Sequence, residues 1–277
     1  MPGDIKVAMS GLPGKMAARV AELVQQSRDL ELLPFALTGS GRRGPCRING
    51  LDVELIAAAH RGEFAARLGR EKNVIVVDYS HPKGVDANVR FFVEQRLPFV
   101  LGTTGGDYGL FEKLVAESGL PCVIAPNMAL PIVALTAMLR WGSEQFPGVF
   151  KGYNLVVNES HQSGKADTSG TAKALIALLQ KLGAGFAPGQ LHMCRDAESQ
   201  VRDWGIPREH LGGHAYHTYD LRGHENTAHF SIQHNILGRT IYAEGTLEAA
   251  RFLSRRLDKP VAHSYNMMDV LKYLEVG

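Results

Sequence analysis

The segment "ESHQSGKADTSGTAKAL" places an imidazole, an ammonium and a hydroxyl-rich turn within eleven residues, His161 to Thr171. Imidazole exchanges a proton near neutral pH, so His161 is a candidate proton donor. Lys165 follows four residues later and offers a formal positive charge. Ser169 stands where a helix cap belongs, because Ala172, Leu175, Ile176 and Leu179 follow with helical period and Gly183 closes the run. A helix start carries N–H groups without intrahelical partners and the positive end of the helix dipole. Gly170 would let a ligand approach those groups, and the hydroxyls of Ser169 and Thr171 add donors. The group reads as a carboxylate or phosphate cradle beside an acid. The plainer alternative is an ordinary cap with a solvated Lys and His.

A second constellation lies near the N-terminus. "VAMSGLPGKMA" sets Gly11 and Gly14 directly after a strand, with the small Ala17 one turn later. Such a turn lets backbone approach a pyrophosphate at a helix start. Pro13, Lys15 and Met16 belong to the same turn. Open α/β sheets bind ligands beyond the carboxyl ends of their strands. Asp78 ends "NVIVVD", Gly102, Thr103 and Thr104 end "LPFVLGTT", and Pro126, Asn127 and Met128 follow "LPCVIA". All are candidate cofactor-binding residues. The second strand ends in "ALTGSGRRG", with Thr38, Ser40, Arg42 and Arg43 and no acid to hold a ribose 2′-hydroxyl. Guanidinium and hydroxyl groups suit a 2′-phosphate, so NADPH is the expected cofactor, with NADH possible.

These groups need a scaffold, and the chain supplies one. Its 277 residues suit one large or two ordinary domains, and 45% apolar against 21% charged residues makes a core without staples. A net charge of +2 gives no reason to expect nucleic acid or an acidic membrane as partner. Cys46, Cys122 and Cys194 are far apart, which favours a reducing compartment and no disulfide framework. There is no signal-peptide pattern and no apolar run of membrane-spanning length. The expected location is cytoplasmic, or plastid stroma if a transit peptide has been removed. No metal-ligand spacing is present, so the histidines of the later strands (His214, His217, His224, His229, His234) read as packing or interface residues, and no metal is expected.

Strands and helices alternate through the first half, including "IKVAMS", a hairpin at Asn49-Gly50, and helices near 82–95 and 107–118. The expected fold class is α/β, a Rossmann-like doubly wound parallel sheet with a second α+β domain on a mixed sheet. The dinucleotide-binding domain is expected over 1–128 plus 240–277, and the substrate-binding and oligomerisation domain over 129–239. "RTIYAEGTLEAARFLSRRL" reads as a strand followed by an amphipathic helix.

"ESHQSGKADTSGTAKAL", "GTTGGD" and "GLPGKMA" together resemble the dihydrodipicolinate reductase family of the diaminopimelate route to lysine, over almost the whole chain. The resemblance implies hydride transfer from a nicotinamide cofactor to a small cyclic dicarboxylate. It implies that His161 is the general acid, that Lys165 binds and polarises the substrate, and that Ser169, Gly170 and Thr171 hold one carboxylate. Thr104 is implied to contact substrate from the cofactor side. A homo-oligomer, dimer or tetramer, is implied as well. The common bacterial pattern has a second adjacent His, where this chain has Gln162, and a Pro before Ser-Gly-Thr, which is absent here; both departures resemble the plant-type branch. Two other readings stay open. A semialdehyde-type dehydrogenase would need a nucleophilic Cys at a helix start, and a non-catalytic NADPH-binding regulator would need neither His161 nor Lys165.

Overall fold

The computed structural model describes residues 5–39, 44–261 and 263–274. The chain divides into two units, residues 1–133 with 240–277, and residues 134–239.

The first unit grows from near-continuous apolar strands, the pattern of a sheet buried on both faces. β1 (Ile5–Ser10) leads to α1 (Lys15–Gln26), whose Ala17, Val20, Ala21 and Val24 recur with helical period and are buried. β2 (Leu30–Thr38) is followed by the hairpin β3 (Pro45–Ile48) and β4 (Leu51–Ala57). Asn49 and Gly50 turn that hairpin with φ of 42° and 90°, as a type I′ turn requires. α2 (Arg61–Leu68), β5 (Val74–Asp78), α3 (Val85–Glu94), β6 (Phe99–Leu101), α4 (Tyr108–Ser118) and β7 (Cys122–Ile124) follow. The sheet order is β3-β4-β2-β1-β5-β6-β7, with every pair parallel except β3 with β4. The order reverses at β1, so the switch point lies at the carboxyl ends of β1 and β5.

One face of the sheet packs Val7, Met9 and Ile75 against α1 and two helices from the end of the chain, α8 (Thr240–Ser254) and α9 (Met267–Leu274). The other face packs Ala8 and Val76 against Phe64, Val89, Phe92 and Phe111 of α2, α3 and α4. This is the doubly wound arrangement expected. The strand expected at "RTIYAE" is not formed. Gly238, at φ 72°, turns the chain directly into α8, where Ala243, Leu247 and Ala250 are buried at helical spacing. A Cβ on Gly245 would lie 1.7 Å from the Met128 carbonyl oxygen, so close backbone packing overrides the local β preference of Thr, Ile and Tyr. α3 also starts later than Pro82, at Val85, after a tight turn in which the Gly84 N–H donates to the His81 carbonyl at 2.8 Å.

α5 (Leu130–Gln145) begins in the first unit and ends in the second. The second unit then contains β8 (Asn154–His161), α6 (Gly170–Lys181), β9 (Leu191–Cys194), α7 (Ala197–Trp204), β10 (His214–Gly223) and β11 (Ala228–Leu237). Its mixed sheet runs β11-β10-β8-β9, with β8 and β9 parallel and the other pairs antiparallel. Leu155 and Val157 of β8 and Tyr219 and Leu221 of β10 form a core with Leu175, Ile176 and Leu179 of α6. Each of those three α6 side chains contributes about 2 kcal/mol by leaving water.

Candidate functional site

The glycine turn is fixed by close packing of backbone on backbone. Gly11 has φ of 108°, and a Cβ there would lie 2.4 Å from the Tyr79 carbonyl oxygen, so only glycine is accommodated. Gly14 caps α1 without a side-chain partner, and the first turn of α1 contains no acid. Pro13 and Met16 are half-buried, Lys15 is exposed, and Ala17 is fully buried in the helix–sheet contact. A dinucleotide pyrophosphate suits this turn: backbone donors, a positive dipole end and no competing carboxylate.

Several expected contacts have a different role. Thr38 is buried and donates its hydroxyl proton to the Leu12 carbonyl at 2.6 Å, which braces the turn and leaves no proton for a phosphate. Asp78 is fully buried and turned inward. It accepts from Ser10 Oγ at 2.7 Å, Ser80 Oγ at 2.8 Å, Asn88 Nδ2 at 3.0 Å and Thr103 Oγ1 at 2.7 Å. It therefore ties together the ends of β1, β5 and β6 rather than facing a ligand, and Thr103 is committed with it. Gly102 packs on the Tyr79 ring, Thr104 and Pro126 are exposed, Asn127 caps the Ala129 N–H at 2.9 Å, and Met128 is core. Arg42 and Arg43, with Ser40, lie outside the described residues.

The second site follows from strand alternation. Leu155, Val157, Glu159 and His161 occupy one face of β8, the face that α6 covers. The apolar core thus becomes a charged one at the end of the strand. The register sets His217 of β10 opposite Glu159, and His234 of β11 opposite His217. The cap of α6 meets this row. The Ser169 N–H donates to Glu159 Oε2 at 3.1 Å, and Ser169 Oγ accepts from the Ala172 N–H at 3.0 Å and lies 3.1 Å from His217 Nε2. Ser169 is buried and these bonds occupy it, so it organises the helix start rather than offering an open carboxylate ligand. The solvent-facing part of that start is Gly170, exposed with open space at its Cβ position, and the half-buried Thr171.

Arg195, just after β9, closes the network. It pairs with Glu159 through Nη2, and its Nε donates to the Lys165 carbonyl at 2.8 Å. Gln200 of α7 donates to the His161 carbonyl at 2.7 Å. The loop that carries Lys165 is therefore pinned at its backbone, while the Lys165 side chain stays half-buried. Glu159, Arg195, Gln200, His217 and His234 were not among the residues singled out for chemistry. Only Glu159 had a local signal, two residues before His161 on the same strand face.

Burial of Glu159 favours its neutral form, but hydrogen bonds from His217 and Arg195 and the Ser169 N–H outweigh it and hold the carboxyl down at about 2. Burial pushes His161 down to about 3, with His217 adding to the effect and Glu159 opposing it. His161 is therefore neutral in the free protein at neutral pH. Among the described residues, His161 Nδ1, His217 Nδ1 and both His234 ring nitrogens are buried without a hydrogen-bond partner. Glu159, His161 and His217 offer ligand atoms within 4.8 Å of one another, a spacing that a metal could use. Arg195 already neutralises that carboxylate and would repel a cation, so the trio is read as a protein-only network. The other strand histidines are structural: His214 bonds Ser160 Oγ at 2.9 Å, His229 bonds Asp220 at 2.8 Å, and His224 packs on Tyr153. Cys122 is fully buried in β7 and burial raises its thiol, the reverse of what a nucleophile needs.

A doubly wound unit with a glycine turn after its first strand, in a chain whose second unit is α+β on a mixed sheet, is the architecture of a nicotinamide-dependent oxidoreductase. The sequence family described as "Dihydrodipicolinate reductase, N-terminus" matches residues 5–128, and "Dihydrodipicolinate reductase, C-terminus" matches 132–271. A probable 4-hydroxy-tetrahydrodipicolinate reductase 2, chloroplastic, of Oryza sativa is 40% identical over 96% of this chain and 82% of its own length. The 4-hydroxy-tetrahydrodipicolinate reductase 1, chloroplastic, of Arabidopsis thaliana is 38% identical over 98% of this chain and 79% of its own. The solved dipicolinate-bound dihydrodipicolinate reductase of Paenisporosarcina sp. TG-14 shares the fold, with TM-score 0.63 and 18% identity over 96% of this chain and 98% of that one. The chain belongs to the dihydrodipicolinate reductase family.

Proposed function

We propose that this protein reduces 4-hydroxy-tetrahydrodipicolinate to tetrahydrodipicolinate in the diaminopimelate route to lysine, with NADPH as the preferred cofactor. The observation that carries this reading is the start of α6, where an exposed Gly170 and a half-buried Thr171 adjoin a loop carrying Lys165 and the strand end carrying His161. The cofactor supplies a hydride, and Gly11, Gly14 and the first turn of α1 are the groups suited to hold it. The preference for NADPH rests on the absence of an acid after β2 and the presence of Arg42 and Arg43 in the sequence.

Each residue then has a task set by charge. Gly170 and Thr171 hold one carboxylate at the positive end of α6, and Lys165 neutralises the ring's remaining charge. Arg195 fixes the loop so that Lys165 does not pay that positioning cost during binding. His161 delivers the proton that quenches the reduced ring. Its proton affinity is low in the free protein, and an incoming dianion raises it by direct attraction, so the acid forms when substrate is present. The sheet face of β11 that carries His229, Ser231, Gln233, Asn235 and Leu237, all exposed, is the surface through which two copies associate. Placement in plastid stroma follows the chloroplastic relatives, and among the described residues no helix is long and apolar enough to cross a membrane.

The test is a nicotinamide absorbance assay with freshly generated substrate. Oxidation of NADPH in step with product, faster than that of NADH, is expected. No oxidation of either cofactor would overturn the reaction, and faster use of NADH would overturn the cofactor preference alone.

A further inference from the structure

The sequence has no second imidazole beside His161, since the next residue is Gln162. The fold brings one from elsewhere. His217 is buried, its ring centroid is 4.9 Å from that of His161, and the rings meet edge to face at 73°. Its Nε2 lies 3.1 Å from Ser169 Oγ and 3.5 Å from Glu159 Oε2. We infer that His217 is a positioning residue for the proton donor: seated between Glu159, Ser169 and His161, it links the imidazole that gives the proton to the helix cap that organises the anion site.

Two arguments carry this, and both rest on His161 being the donor proposed above. First, packing alone does not account for the residues. An apolar side chain at 217 or 234 would fill the same core without leaving ring nitrogens unpaired, and each unpaired buried polar atom is costly. Second, the contacts are directional. The groups that face His217 are Glu159 and His161 from β8, Tyr219 from its own strand, His234 from β11 and Ser169 from the cap, with Arg195 acting through Glu159. Burial lowers the proton affinity of His161 most; His217 lowers it further, Glu159 opposes them, and Arg195 and Lys165 add smaller effects on the side of His217.

The experiment is a heteronuclear NMR titration of the His161 ring in the full chain, with pyridine-2,6-dicarboxylate absent and present, the resonance being assigned by its loss in His161→Gln. In His217→Gln, which keeps a polar group near Ser169, the His161 midpoint is expected to rise by about half a pH unit or more. In Glu159→Gln it is expected to fall. The high-pH limb of kcat/KM should move upward in His217→Gln, with NADPH affinity unchanged. An unmoved midpoint, or a shift in the same direction in both variants, overturns the inference. If Glu159→Gln does not fold, the upward shift in His217→Gln decides alone, its absence being the overturning result. A wild type inactive on the substrate but showing the opposed shifts would overturn the proposed reaction and leave the His161–His217 link standing. An active wild type without the shifts would do the reverse.

Discussion

Asp78 and Glu159 are both fully buried carboxylates at strand ends, one in each unit, and they are satisfied in different ways. Asp78 accepts from hydroxyls, an amide and a backbone N–H, all neutral. It fixes the loops around the cofactor turn and places no net positive charge beside them. Glu159 is met by the Arg195 guanidinium and the His217 imidazole as well as the Ser169 N–H. Neutral donors hold geometry. Charged and titratable partners also set how tightly nearby groups hold protons. On the reaction proposed above, the first unit serves as a rigid holder and the second carries the proton chemistry.

The largest effect should come from removing the proton donor. His161→Ala is expected to lower kcat by about 100-fold or more, with NADPH affinity in a binding titration unchanged. Unchanged turnover would move proton delivery to another group. The next effect separates the two carboxylates. Glu159→Gln leaves a guanidinium without its counter-charge and should cost about 3 kcal/mol in denaturant unfolding. Asp78→Asn replaces one acceptor among neutral donors and should cost about 1–2 kcal/mol. Equal costs would erase the distinction between the units.

The smallest effect is in acid. His161 and His234 are depressed to about 3 and about 4 in the folded protein, while an unfolded chain takes up those protons near 6.5. The unfolded state then binds more protons across that window, so stability is full above about pH 6.5 and declines as pH falls towards the folded values. Glu159, held at about 2 against an ordinary 4.5, adds a further loss below pH 4.5. Calorimetry from pH 7 to pH 5 should show a falling melting temperature, and His234→Leu should flatten that slope. A slope unchanged in the variant would show that His234 does not titrate across the transition.

The sequence and the structure agree best where physics is local. The run "NVIVVD", the Asn49-Gly50 turn and the Ser169 cap each carry their own signal in a few neighbouring residues. "RTIYAE" misleads because β-branched and aromatic residues there are governed by the packing of Gly245 on Met128. The acid network was legible only in part. His161 and Lys165 lie in one short segment, but His217 and Arg195 reach Glu159, and His234 reaches His217, through strand register, and register between distant strands leaves no mark in a local window. Thr38 and Asp78 stand at the right strand ends, yet only their hydrogen bonds show that they face inward.

The most direct test of the account is a crystal structure of the protein with pyridine-2,6-dicarboxylate. One carboxylate of the ligand is predicted at the first turn of α6, against the N–H groups of Gly170 and Thr171, with Lys165 turned towards the ring. A ligand bound away from α6, with Lys165 pointing into solvent, would contradict it.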